Sequence, residues 1–276
     1  MAPVPPDDLL TRVGLDPTVY PTREERVEWF ESLGRACYED LRAALPAAWA
    51  WEGRSVLDFG CGSGRLLRWF LPHVAEGVRL AGCDPHAQSI EWLRAHSPPE
   101  VRLYANRLEP PLPETEASFD LVYAVSVFSH IVDWAPWLLE LRRVLKPGGL
   151  LVATLHGRGF WSLGVAGSRG EAWDEDGTGL LVEHADASAV DGFGPAVFVS
   201  EWWLRAHWGR AFDIVRFEPS GFGMPANRTV GQAWVVGRRP PDHRDLSPGE
   251  LRAPADDPRE ALAAARAERL AAQVTA

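Results

Sequence analysis

The sequence predicts an α/β fold built on a parallel sheet, and three observations carry that prediction. Apolar runs of strand length alternate with segments whose apolar residues recur every three or four positions, the order that βαβ units produce. The run Val56-Leu57-Asp58-Phe59 leads into Gly60-Cys61-Gly62-Ser63-Gly64 before an apolar-periodic segment begins, which reads as strand, tight loop, helix. Asp84 closes the second strand, twenty residues after Gly64, where such a unit brings an acid beside the ribose of a ligand seated on the loop.

Glycine at 60, 62 and 64 lets the backbone take positive φ and lets a ligand approach where a Cβ would clash. A helix opening after Gly64 would aim unpaired N–H groups and its positive end at that space, a seat for a carboxylate or phosphate. A dinucleotide fingerprint needs Gly-x-Gly-x-x-Gly; its sixth position is Arg65 counted from Gly60 and Leu67 counted from Gly62, so that pattern fails in both registers. The run Asp58-Phe59-Gly60-Cys61-Gly62-Ser63-Gly64 instead resembles motif I of the class I S-adenosylmethionine-dependent methyltransferases, small-molecule type. The resemblance implies S-adenosyl-L-methionine as cofactor, held by Asp58, Gly60, Cys61, Gly62 and Gly64, with Asp84 and Pro85 at the ribose. Asp84 alone does not choose between this cofactor and a nicotinamide one, because the same device serves both.

In chain order, residues 1–21 are punctuated by proline and read as an extended arm. Thr22-Arg23-Glu24-Glu25 is a capping box opening a helix whose Val27, Phe30, Leu33, Cys37, Leu41 and Ala44 share a face. Gly34 interrupts it and Pro46 ends it. That helix either lies over the cofactor, as amino-terminal extensions do in many members of the family, or packs on the back of the sheet. A first crossover helix carries Leu66, Leu67, Phe70 and Leu71; the second strand is Val78 to Cys83, and the third is Val101 to Tyr104. By resemblance, Asn106 after strand three bonds the adenine, with Arg107 and Leu108 supplying backbone or stacking contacts; many relatives place Asp there.

Phe119-Asp120-Leu121-Val122-Tyr123-Ala124-Val125-Ser126 reads as a buried fourth strand. With Val127-Phe128-Ser129-His130-Ile131 it resembles motif II and its continuation, which places Ser126 at the cofactor. Asp133 caps the next helix, and Arg142 to Leu151 resembles the motif III region, with strand five at Leu150 to Leu155. Ser200 caps a helix over Glu201 to Trp208, Phe212 to Phe217 is strand six, and Gln232 to Gly237 is strand seven. The resemblance implies a Rossmann-like, seven-stranded, mostly parallel sheet with strand seven antiparallel beside strand five, helices on both faces, and an N-terminal helical extension. Residues 1–52 form the arm and cap, 53–237 the cofactor-binding domain with an insertion at 156–199, and 238–276 a charged, Ala-rich tail.

Composition narrows the partners. The 276 residues are 46% hydrophobic with a net charge of −10, so no overall field favours nucleic acid or an anionic membrane; the resemblance implies a small-molecule partner. Cys37, Cys61 and Cys83 are odd in number and lack CxxC or Cys/His zinc spacing, which points to a reducing cytoplasm; no metal ligand is assigned. Pro3, Pro5, Pro6, Asp7 and Asp8 stand where a secretory signal needs basic and then apolar residues. The 13 tryptophans serve either the core or an aromatic substrate chamber. The Gly-rich insertion leaves the carboxyl edge of strand five and is expected to build the substrate pocket.

The chemistry follows from the cofactor. A methyl on a positively charged sulfur needs an acceptor held beside it and, for a weakly acidic acceptor, a base. His130 after strand four and His156 after strand five stand at the reacting edge, as bases or as structural hydrogen-bonding groups; Glu183 and His184 in the insertion come next. The expected reaction is O-methylation of a small molecule such as a secondary metabolite or sugar. The alternatives are a fold relative using the cofactor for a cyclisation or rearrangement, and a non-catalytic partner subunit.

Overall fold

The computed structural model describes residues 3–11, 18–163, 172–183, 195–242 and 244–274. The strands are β1 (Ser55–Phe59), β2 (Arg79–Asp84), β3 (Arg102–Ala105), β4 (Phe119–Ala124), β5 (Leu145–Leu155), β6 (Leu180–Glu183), β7 (Ala196–Val199), β8 (Asp213–Phe222) and β9 (Gln232–Arg238). Seven of them form one sheet in the order β3-β2-β1-β4-β5-β9-β8. The first five in that order are parallel neighbours, β9 inserts antiparallel beside β5, and β8 pairs antiparallel with β9. This is the expected sheet. All five residues of β1 are buried, as they are when helices cover both faces of a parallel sheet.

Helix α1 (Asp7–Thr11) precedes α2 (Arg23–Ala44), whose Thr22 and Glu25 form the reciprocal capping box read from sequence. Cys37 and Leu41 of α2 pack with Val56, Tyr123 and Val152 on one face of the sheet, each fully buried aliphatic side chain contributing roughly 1.5–3 kcal/mol. Of the two expectations for this helix, packing on the sheet is the one its later half follows, and the stretch read as an extended arm instead forms the short helix α1, which reaches the glycine loop. Gly34 does not interrupt α2. It lets the helix approach residues 65–69, where a Cβ would lie 2.4 Å from the Arg65 carbonyl oxygen. Asp40, buried on α2, accepts from Gly223 N–H at 2.7 Å and from Arg228 at 2.6 Å, tying α2 to the β8–β9 hairpin.

The segment after the glycine loop departs from expectation. Leu67–Trp69 is a 3-10 turn, and only Leu71–Ala75 (α3) is α-helical, with Pro72 in its first turn. Proline starts a helix readily and cannot continue one, so no long helix aims its dipole at the loop. Helix α4 (Ala87–His96) completes that face.

Helix α5 (Trp134–Val144) covers the other face through Leu138, Leu141 and Val144. Asp133 holds its cap position without a cap bond and pairs with Arg252 instead. The turn at Lys146-Pro147-Gly148-Gly149 bends β5 at a register shift, with Gly148 at φ 77°. Beyond β5 come α6 (Arg158–Trp161) and α7 (Glu201–His207). Ser200 precedes α7 without a side-chain cap bond. The two apolar pieces of the insertion pair as the β6–β7 ribbon.

Helices α8 (Pro248–Arg252) and α9 (Arg259–Val274) pack onto the domain. Leu251 and Leu270 are buried, and Arg266 reaches Thr178 and the Ala172 and Asp174 carbonyls while lying over the Trp161 ring. Tryptophans 134, 137, 161, 202, 203, 208 and 234 are core residues. No helix among the described residues is long and apolar enough to cross a membrane.

Candidate cofactor and acceptor site

The glycine loop leaves β1 and folds against the end of β2. Gly60 and Cys61 N–H both donate to the Cys83 carbonyl, at 2.8 and 3.0 Å. Gly60, Gly62 and Gly64 have φ of 80°, 51° and 87°, the left-handed conformation for which glycine is suited. Close approach has a different partner from the one expected. A Cβ at Gly60 would lie 2.3 Å from Val127 Cγ2, and one at Gly64 2.5 Å from Leu93 Cδ2, so these two glycines make room for the protein's own side chains. Ser63 Oγ donates to the Leu9 carbonyl at 3.5 Å, which sets α1 against the loop.

Asp84 is half-buried at the end of β2. Its Oδ2 accepts from Gly62 N–H and its Oδ1 from His86 N–H, each at 2.8 Å. The two oxygens expected to face ribose hydroxyls therefore also brace the loop. Asp58 lies beneath. Burial, with the nearby Asp84 charge adding to it, pushes its carboxyl up to about 8, against the opposing influence of the Tyr123 hydroxyl and Arg65. Asp58 thus holds its proton at neutral pH until a cation arrives beside it.

At the end of β3, Asn106 N–H donates to the Asp84 carbonyl at 3.2 Å and Asn106 Nδ2 to the Arg107 carbonyl at 2.7 Å. Among the described residues its Oδ1 is buried without a partner. Arg107 and Leu108 are exposed, while the Leu108 carbonyl is pinned by Trp137 Nε1 at 3.0 Å. Pro85 is exposed beside Asp84, and Cys61 is buried with its thiol pushed far up by burial.

Past β4, Ser126 is non-glycine with φ 61°, a conformation that costs roughly 1–2 kcal/mol for a residue bearing a Cβ. Its N–H donates to Thr154 Oγ1 at 2.7 Å and its Oγ to Gln232 Oε1 at 3.0 Å; Thr154 Oγ1 donates to the same Gln232 oxygen at 2.7 Å. Sequence reading missed Thr154 and Gln232 as members of this edge. The available signal was topological: an antiparallel strand seven begins where parallel strand five ends, so its first residue lands at the edge where ligands bind.

His130 and His156, chosen separately from sequence, come together with ring centroids 5.5 Å apart and planes nearly perpendicular. His130 is half-buried, and its Nδ1 donates to the Pro195 carbonyl at 3.2 Å, which leaves the basic lone pair on Nε2. Burial lowers its pKa below the ordinary histidine range. His156 is 3% exposed, stacks on Phe160 at 3.8 Å, and is pushed down to about 3 by burial and then by His130. His184 lies outside the described residues, as does the side chain of Glu183. A cavity of about 170 Å³ is lined in part by Gly157, Arg158, Val199 and Phe217, and by neither histidine.

A neutral buried histidine has a stability signature. The unfolded chain binds a proton at His156 below about pH 6.5 and the folded chain only near pH 3, so folded stability falls as pH drops through that window. About 2 kcal/mol is lost to this residue by pH 5. His156→Leu is therefore expected to lose about 2 kcal/mol less than the parent between pH 7 and pH 5 in urea unfolding; equal losses would place a charged or solvated histidine there.

Comparisons with known proteins agree with this fold. Residues 57–151 match the model of a family described as a methyltransferase domain. A ubiquinone biosynthesis O-methyltransferase of Chelativorans sp. is 32% identical over 130 residues, 46% of this chain and 48% of the relative. One from Cereibacter sphaeroides is 32% identical over 138 residues, 49% and 53%. The chain thus spans about half the length of these curated relatives. An S-adenosylmethionine-dependent methyltransferase from Mesorhizobium loti aligns with TM-score 0.53 at 18% identity, covering 74% of this chain and 98% of that one. The Burkholderia thailandensis 1,6-didemethyltoxoflavin-N1-methyltransferase, solved with its substrate and S-adenosylhomocysteine, aligns with TM-score 0.51 at 18% identity, covering 87% and 93%.

Proposed function

We propose that the chain, whose residues 57–151 match a methyltransferase-domain model and whose fold is that of an S-adenosylmethionine-dependent methyltransferase, transfers a methyl group from that cofactor to an oxygen of a small molecule. The observation that carries this reading is the placement of nucleoside-suited acceptors and a pair of lowered-pKa histidines along one carboxyl edge of the sheet. The residues fit the cofactor. Asn106 Oδ1, buried and unpartnered among the described residues, is the acceptor an adenine amino group would fill. Asp84 would take the ribose hydroxyls next to Pro85, and Arg107 and Leu108 would flank the base. Asp58 would balance the cationic amino-acid end over Gly60, Cys61, Gly62 and Gly64, with Ser126 closing that side.

When bound, the cofactor supplies a methyl on a positively charged sulfur, which passes to the acceptor while the S–C electron pair stays on sulfur. The chain's own contribution is position and proton removal. Holding the two reactants in line supplies ~7–11 kcal/mol of the barrier in favourable cases. His130, with its lone pair on Nε2, takes the acceptor proton; His156 is too weak a base for that task at its lowered pKa and keeps the neighbouring site uncharged. The names of the ubiquinone-biosynthesis relatives support an oxygen acceptor. Cys37, Cys61 and Cys83 are free thiols, in keeping with a cytoplasmic setting.

Incubation of the purified protein with methyl-labelled cofactor and a panel of phenols, sugars and hydroxy acids tests the reading. Label is expected in the oxygen-bearing acceptor with S-adenosylhomocysteine as co-product. Cofactor binding without turnover would favour the partner-subunit alternative, and product formation without S-adenosylhomocysteine a non-methylating use of the cofactor.

A further inference from the structure

Ser126 after β4, Thr154 in β5 and Gln232 opening β9 form a hydrogen-bond relay with a fixed direction. The Ser126 backbone N–H can only donate, and it donates to Thr154 Oγ1. Thr154 is 0% exposed, so its hydroxyl hydrogen must go to a protein acceptor, and the atom it reaches is Gln232 Oε1. Ser126 Oγ donates to the same oxygen. Turning the amide over would face its NH₂ group toward Thr154 and leave a buried hydroxyl hydrogen unpaired. Oε1 is therefore committed to the relay, and Nε2 is a donor whose direction is set by it. None of the described residues accepts from Nε2, although Gln232 is half-buried at the carboxyl edge. The relay also grips both the backbone and the side chain of Ser126, the residue held at φ 61°, and strain of this kind collects where function needs it.

We propose that Gln232 is a specificity-determining residue of the acceptor site, its Nε2 donating to the reacting atom and selecting hydroxyl, phenol or carboxylate oxygen over amine nitrogen. An oxygen has two lone pairs, one to accept this hydrogen bond and one to attack the methyl carbon. An amine nitrogen has one, and a fixed donor ties it up. This deepens the methyl-transfer reading and rests on it.

The test pairs Gln232→Glu with Gln232→Met. The glutamate variant keeps two oxygens for the Ser126 and Thr154 hydroxyls but loses the donor; the methionine variant loses both. Each protein is given methyl-labelled cofactor with catechol, 4-hydroxybenzoate or histamine, and S-adenosylhomocysteine binding is measured by calorimetry. Label is expected in catechol or 4-hydroxybenzoate, with KM for that acceptor raised 10- to 100-fold in both variants and S-adenosylhomocysteine affinity in Gln232→Glu within twofold of the parent. In the parent's S-adenosylhomocysteine complex, the side-chain amide resonance that Gln232→Glu lacks is expected to shift on addition of catechol and to stay unmoved by histamine. A merely structural relay would leave Gln232→Glu like the parent while impairing Gln232→Met. An unchanged KM in Gln232→Glu, an unmoved amide resonance, or label in histamine alone overturns the proposal. Loss of S-adenosylhomocysteine binding by the parent itself would instead overturn the methyl-transfer reading beneath it.

Discussion

Asp84→Ala is expected to weaken S-adenosylhomocysteine binding by roughly 100-fold or more. A hydrogen bond to a charged group is worth about 1.5–3 kcal/mol, and the carboxylate is assigned to two ribose hydroxyls. The same side chain anchors Gly62 and His86 N–H, so the variant also loosens the loop that receives the amino-acid end. The sheet does not depend on it, because β2 keeps its ladder to β1 and β3 through backbone atoms. Calorimetry with S-adenosylhomocysteine, alongside a thermal melt that remains cooperative, reads both parts. Affinity equal to that of the parent would remove Asp84 from the ribose contact.

His130→Ala is expected to lower kcat by roughly 10²–10⁴-fold while S-adenosylhomocysteine affinity stays within twofold. The pH profile adds an independent check. Burial holds the pKa of His130 below the ordinary histidine value of 6.5, so the ring is neutral, and competent as a base, at pH 7. The rate should be flat above pH 7 and fall on the acid side as the ring protonates, and that limb should vanish in His130→Ala. Undiminished turnover in the variant would leave proximity as the protein's main device.

Much of the fold was legible because each feature had a local cause. The glycine loop, the acid ending strand two and the sharp turn at Lys146 to Gly149 are written in residue types whose backbone preferences are strong. The pairing of Leu180 to Val182 with Ala196 to Val199 was visible only as two apolar fragments, since register between strands is set by tertiary packing. The segment after Gly64 was misjudged because apolar spacing at Leu66, Leu67, Phe70 and Leu71 suits a helix, whereas Pro72 restarts the chain there. Close approach at Gly60 and Gly64 was assigned to a ligand, and the atoms concerned belong to Val127 and Leu93. Nothing local in Thr154 or Gln232 announces their meeting with Ser126, since the three lie 28, 78 and 106 positions apart and are joined only by topology.

The clasp between Asp40 and the β8–β9 hairpin bears on how the molecule is born. Its partners stand 183 and 188 positions downstream, and a ribosome adding about 5–20 residues per second needs roughly 10–40 s to deliver them. For that interval the apolar side of α2 has no finished hairpin to close upon, which makes nascent chains halted before Gly223 the form most exposed to chaperone capture and aggregation.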